Sequence, residues 1–182
     1  LSAVLAAYLF RDITIEDIRT GLQTFIPSES LTPGRLNFFN FKHFTMLADF
    51  AHNPHGLKLL CDFVSKLDYP AKIGVISGTG DRRDEDIKEL GKISGRSFDE
   101  IIIRQDKNLR GRTAEEIVNL LVEGINETKT KDIPVTIILN EKEAIMHAYH
   151  TAKPGSLITI MCDVVAEALD LIKGLKEKED LE

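Results

Sequence analysis

Apolar and polar positions divide the chain into a helical opening and a longer stretch where short apolar runs alternate with helical periods. In the opening, Leu1, Val4, Leu5 and Leu9 recur at helical spacing, which predicts a helix over Leu1–Leu9. Thr14 followed by Asp17 is an N-cap signal for a second helix reaching about Thr24. Pro27, Ser28, Ser30 and Pro33-Gly34 then break the pattern and read as a hinge. From there, Leu36–Phe41 and Phe44–Phe50 are rich in aromatic and apolar residues and predict a hairpin.

Asn53-Pro54 starts a helix, Asn as N-cap and Pro at the first helical position, with Leu57, Leu60, Cys61, Val64 and Leu67 on one face. Lys72–Ser77 is a continuous apolar run of the buried-strand kind, followed by Gly78-Thr-Gly80 and an acidic helix carrying Ile87, Leu90 and Ile93. Glu100–Arg104 is a strand of three consecutive isoleucines, and Thr113 with Glu116 forms a capping box for the next helix. Val135–Leu139 is a strand, with Asn140 and Glu143 capping the following helix in the same way. Leu157–Met161 is the last strand, and Asp163 is expected to start the final helix. The alternation implies an α/β fold: a Rossmann-like three-layer sandwich, its sheet mostly parallel with an N-terminal hairpin or antiparallel strand.

Composition narrows the function classes. A length of 182 residues fits one ordinary domain, and an apolar share of 43% suffices for a packed core. A formal charge of -6 argues against a surface for nucleic acid. No apolar run reaches the ~20 residues of a membrane helix, and no signal-peptide pattern opens the chain, so no membrane partner is expected and the compartment is read as cytoplasmic. Cys61 and Cys162 sit among apolar neighbours and read as buried free thiols. The organisation expected is a helical lead-in over 1–26, a linker over 27–34 and the main domain over 35–180. Residues 181–182 read as a vector scar.

Three polar segments fall where predicted core strands stop, the usual ligand side of a doubly wound sheet. They are Asp49-Phe-Ala-His-Asn-Pro54, Ser77-Gly-Thr-Gly-Asp-Arg-Arg83 and Arg104-Gln-Asp-Lys-Asn-Leu-Arg-Gly-Arg112. The first has two readings. A helix starting at Asn53 points free N–H groups at an anion, with His52 as a further donor and Asp49 as an acceptor for ribose hydroxyls. Equally, Asn53 caps, His52 packs and Asp49 bonds a loop. In the second segment Arg83 stands where a dinucleotide fingerprint wants a third Gly, and no Walker A loop is present. Arg82 and Arg83 suit a carboxylate, or else salt bridges to Asp84 or Asp86. The His52/His55 and His147/His150 pairs lack a third ligand nearby, so no metal site is expected.

Thr32-Pro-Gly-Arg35, an aromatic hairpin and Asp49-Phe-Ala-His-Asn-Pro54, in that order, resemble the junction into the C-terminal domain of Mur-type ATP-dependent amide ligases. Gly80-Asp-Arg-Arg83, Asp106-Lys107 and Arg110-Gly-Arg112 look most like the cyanophycin synthetase branch of that family. The resemblance implies that residues 1–26 end a central ATP-binding domain and residues 35–180 form the C-terminal domain. It implies a reaction in which ATP phosphorylates a carboxylate acceptor and an amino acid, here arginine, attacks the acyl phosphate. Arg35 is then the catalytic residue at the nucleotide phosphates, Asp49 holds the ribose, and His52 and Asn53 line the same pocket. Asp81 and Arg82 lie on the substrate side, Arg82 gripping the incoming carboxylate, and Asp106 faces a cationic side chain.

Two departures stand out. Phe50 replaces a tyrosine common in the motif, and the Asp106 segment lacks the Asp-Asn-Pro-Arg of diaminopimelate-adding ligases. The family's phosphate loop and magnesium ligands belong to the central domain, so ATP and Mg2+ are expected as cofactors and the isolated chain as inactive. An oligomer is left open. The rival readings are another Mur-type ligase, acting on a cell-wall precursor or a folate, and a non-catalytic nucleotide-binding or scaffolding module.

Overall fold

The computed structural model describes residues 2–10, 12–25 and 28–181. The expectations placed on Leu1, Pro27 and Glu182 lie outside these residues. Helix α1 spans Ser2–Leu9 and α2 spans Ile15–Thr24, the latter closed by the Thr14–Asp17 capping box. Neither helix buries a residue, and Leu5, Tyr8, Leu9 and Leu22 stay exposed.

Strands β1 (Asn37–Asn40) and β2 (Thr45–Asp49) form the antiparallel hairpin, pairing Asn37 with Ala48 and Asn40 with Thr45. Then follow α3 (Pro54–Val64), β3 (Ala71–Ile76), α4 (Asp84–Ser97), β4 (Glu100–Ile103), α5 (Ala114–Thr128), β5 (Val135–Ile137), α6 (Glu141–Thr151), β6 (Ser156–Met161) and α7 (Val165–Leu181). The strand order is β1-β2-β6-β3-β4-β5, and every pairing after the hairpin is parallel. Strand alternation sends successive side chains to opposite faces, so Ile101 and Ile103 enter one core while Ile102 enters the other. The first core lies under α3, α4 and α5, the second under α6 and α7. This is the three-layer sandwich that the alternating pattern predicts.

Three local expectations change. Strand β5 is regular only to Ile137, at the sheet edge with Val135 and Ile137 exposed, and beyond it the Ile138 N–H donates to the Ile103 carbonyl at 2.9 Å and the Leu139 carbonyl accepts from the Gln105 N–H at 3.0 Å. Asn140 caps α6 by accepting from the Glu143 N–H at 3.1 Å, but among the described residues Glu143 does not return the bond. Asp163 does not open α7, which starts at Val165; its carboxylate accepts from the Lys107 N–H at 2.7 Å instead.

Helices α4 and α5 approach closely because glycines face each other. A Cβ on Gly91 would lie 2.2 Å from the Leu121 carbonyl oxygen, and one on Gly124 2.0 Å from that of Lys88. Backbone cannot yield as a flexible side chain can, so the helices would have to separate. We expect Gly124→Ala to destabilise the fold by about 1–3 kcal/mol in urea unfolding. A loss below roughly 0.5 kcal/mol, the range of neutral surface changes, would show that the contact is loose.

Candidate functional site

The parallel strands end together, and their carboxyl ends carry the polar segments picked out from the sequence. Asp49 closes β2 and is half-buried. Its carboxylate accepts from the Leu36 N–H at 2.9 Å. Burial pushes its pKa above the ordinary aspartate value, while the Leu36 hydrogen bond and the Arg35 charge pull the other way.

The turn before β1 is unusual. Gly34 has φ +69° and Leu36, a branched residue, has φ +50°. A left-handed non-glycine residue costs about 1–3 kcal/mol and needs its surroundings to hold it. Asn37 does much of that work. Its Oδ1 accepts from the Gly34 N–H at 2.6 Å, and its Nδ2 donates to the carbonyls of Thr32 and Arg35 at 3.0 and 3.2 Å. With Asp49 bound to Leu36, the turn sets Arg35 on the surface, its guanidinium 5.5 Å from the centroid of the Phe50 ring. Arg35 and Asp49 line one cavity of about 360 Å3, walled by Leu36, Leu59 and Phe63.

The other residues of this segment have local jobs. Asn53 caps α3, accepting from the Gly56 N–H at 2.9 Å. His52 places Nδ1 3.0 Å from the Phe50 carbonyl and its ring 4.6 Å from that of Phe50. It lines a separate small cleft of about 40 Å3 with Thr79, Asp106 and Arg110. Thus Arg35 and Asp49 stand together, His52 and Asp106 stand together next door, and Asn53 serves the helix.

Beneath that second cleft lies a residue whose importance the sequence reading missed. Arg104 follows the three isoleucines of β4 and is only 1% exposed. Its Nη1 donates to Asp106 Oδ1 at 2.7 Å and to the Gln105 carbonyl at 3.2 Å. Nε reaches the Met161 carbonyl at 3.1 Å, Nη2 bonds the same oxygen, and Glu141 Oε1 sits 3.4 Å from Nε. Asp106 Oδ1 also accepts from Ser77 Oγ at 3.0 Å, and Glu141 accepts from the Asp163 N–H at 2.7 Å. One guanidinium therefore joins the ends of β3, β4 and β6 and the start of α6. Asp106, expected to face an incoming cation, faces the protein's own Arg104. A charged residue directly after three consecutive isoleucines was the available signal, since a strand that packs both faces carries its next position into the interior.

The two arginines after β3 differ. Arg83 holds Asp86 with a two-pronged pair, Nε–Oδ2 and Nη2–Oδ1 both at 2.9 Å. Arg82 has no side-chain hydrogen bond or ion pair among the described residues, and its Nε is buried without a partner. Asp81 pairs with Arg110 across the loops. A larger cavity of about 580 Å3, between α6, α7 and the connection after β4, meets the small cleft at Asp106.

The thiols are free and buried, and burial pushes Cys61 up to about 11 and Cys162 up to about 12. Among the described residues no group of three or more His, Cys, Asp or Glu side chains could hold a metal ion, and no helix is long and apolar enough to cross a membrane.

The strand order and the helices on both faces define a doubly wound α/β domain. Residues 34–163 match the family described as "Mur ligase, glutamate ligase domain", and the chain belongs to that family. Cyanophycin synthetase of Nostoc sp. is 40% identical over 181 residues, covering 98% of this chain and 20% of that protein. The UDP-N-acetylmuramoyl-L-alanyl-D-glutamate–2,6-diaminopimelate ligase of Aquifex aeolicus is 30% identical over 176 residues, covering 97% of this chain and 34% of that protein. The structure of E. coli FolC in complex with ADP superposes with a TM-score of 0.69 at 21% identity, over 97% of this chain and 38% of that one, a likeness of fold. The chain thus spans about a fifth of the length of the cyanophycin synthetases it matches.

Removing one side of a buried pair leaves the other charge desolvated. We expect Arg104→Ala to cost about 3–5 kcal/mol of unfolding free energy, measured by urea denaturation. A cost under about 1 kcal/mol would mean that the acids around it are already solvated.

Proposed function

We propose that this chain is the C-terminal domain of an ATP-dependent amide ligase of the cyanophycin synthetase type, which adds arginine to aspartate side chains. The observation that carries the reading is that Arg35 and Asp49 line one cavity, behind a strained turn. Identity of 40% to a cyanophycin synthetase across nearly the whole chain supports the choice within the family.

In this reading the domain is a lid. Residues 1–26 end the central ATP-binding domain, and the exposed apolar side chains of α1 and α2 suit packing against it. The 27–34 segment is the hinge. On closure, Asp49 accepts from the ribose hydroxyls, exchanging part of its desolvation cost for charge-assisted hydrogen bonds. Arg35 reaches the phosphates and stabilises charge developing on the transferred group. The acceptor carboxylate oxygen attacks the γ-phosphorus, the bond to the β-phosphate oxygen breaks, and ADP leaves. The arginine amine nitrogen then attacks the acyl carbon, loses a proton, and phosphate departs with the electron pair of the broken C–O bond.

Arg82 is the group suited to the α-carboxylate of the incoming amino acid, because its Nε is buried without a partner and it forms no hydrogen bond or ion pair through its side chain among the described residues. Exclusion of water by the closed lid protects the acyl phosphate from hydrolysis. This domain offers no ligand set for magnesium among its described residues, and the metal belongs in this proposal to the central domain. A cytoplasmic site of action is part of the same proposal.

The purified chain alone is expected to hydrolyse no ATP, since the other half of the site is elsewhere; steady phosphate release from it would overturn the lid reading. In the full-length protein, Arg35→Ala is expected to lower kcat at least about tenfold, as loss of a positioned charge donor does. Unchanged initial rates would remove Arg35 from the site.

A further inference from the structure

The Arg82 loop does not hold its own shape. Between β3 and α4 it makes one backbone turn, the Arg82 N–H donating to the Thr79 carbonyl at 3.1 Å. Beyond the Thr79–His52 contact and the local Arg83–Asp86 pair, it is held by the next loop. Arg112, just before the cap of α5, donates from Nε to the Gly80 carbonyl at 3.1 Å and from Nη2 to the Arg82 carbonyl at 2.9 Å. Nη2 also lies 2.6 Å from Asp84 Oδ1. One planar guanidinium thus touches the Arg82 loop at three alternate positions, Gly80, Arg82 and Asp84.

The loops are in direct backbone contact there, since a Cβ on Gly80 would lie 1.9 Å from the Leu109 carbonyl oxygen. Arg110, at φ +51°, and Gly111, at φ +92°, form the left-handed bend that turns the chain back so Arg112 can reach across.

We propose that Arg112 is a positioning residue for Arg82: it fixes the backbone that aims the Arg82 guanidinium at the carboxylate of the incoming amino acid. This rests on the reading of Arg82 given above. The fork geometry matters, because two carbonyls and a carboxylate must be met by one rigid group, and a lysine ammonium on a flexible stem lacks that fixed spread. The side chain is a quarter exposed and its polar partners are two loop carbonyls and the carboxylate that opens α4, so its loss should leave the layers packed while freeing the loop. Asp81, tied to Arg110, is the second strap across the same pair of loops.

The test uses the full-length protein, with initial rates measured while arginine and ATP are varied separately. Arg112→Ala is expected to raise the KM for arginine about tenfold or more, with the KM for ATP and kcat at saturating arginine held within about twofold. Arg112→Lys should fall between wild type and Arg112→Ala, and it also serves if the alanine variant fails to fold. Arg82→Ala, measured alongside, should raise the same KM.

If Arg82→Ala raises the arginine KM and neither Arg112 variant does, the positioning role is overturned and the reading of Arg82 stands. If Arg82→Ala leaves the arginine KM unchanged, the reading of Arg82 falls and the positioning role falls with it. A rise shared equally by the arginine and ATP constants would be a general structural defect, and it too would overturn the proposal.

Discussion

A single buried guanidinium organises the ligand side of this domain. Arg104 follows the three packed isoleucines of β4, at a depth where an ion costs several kcal/mol to desolvate. Arginine does not shed its proton in proteins, so the charge must be met where it lies. Two carbonyls, Asp106 and Glu141 meet it, and in doing so they tie β4 to β6, to Ser77 after β3 and to the first turn of α6. The strand ends therefore form one rigid floor. Loops that rise from it can carry strain and unpaired charge without drifting apart.

Above the floor, the loops hold a strained backbone position and an unpartnered buried N–H. Leu36 is kept in a left-handed conformation by Asp49 and Asn37, and Asp49 is half-desolvated for its part in this. Arg82 keeps a buried N–H without an acceptor, although its neighbour Arg83 is fully paired. Unsatisfied groups of this kind are rare in finished cores and cluster where something else is meant to bind. In the proposed ligase, the missing acceptors come from the nucleotide, the amino acid and the central domain.

Much of the fold was legible because its causes are local. Helical spacing, Asn53-Pro54, the two Thr capping boxes and the apolar runs follow from side-chain volume and cap chemistry within a few residues, and the elements appear where those signals stand. The misreadings involve partners far away in sequence. Asp163 looked like a helix cap, but the nearest strong donor in space is the Lys107 N–H. Asp106, expected to face an incoming cation, also accepts from Ser77, 29 residues earlier, and from Arg104.

By itself, the sequence determined the α/β class, the order of its layers, the three polar segments at the strand ends and a family resemblance resting on Pro-Gly-Arg and Asp-Phe-Ala-His-Asn-Pro. It could do so because periodicity and motif spacing are properties of neighbouring residues. The tertiary structure alone decided which charges cancel. Arg104 meets Glu141 and the Met161 carbonyl, and Asp81 meets Arg110, only because the fold brings those loops together. Charge pairing depends on distances of a few ångströms between segments tens of residues apart, and those distances exist only once the chain has folded.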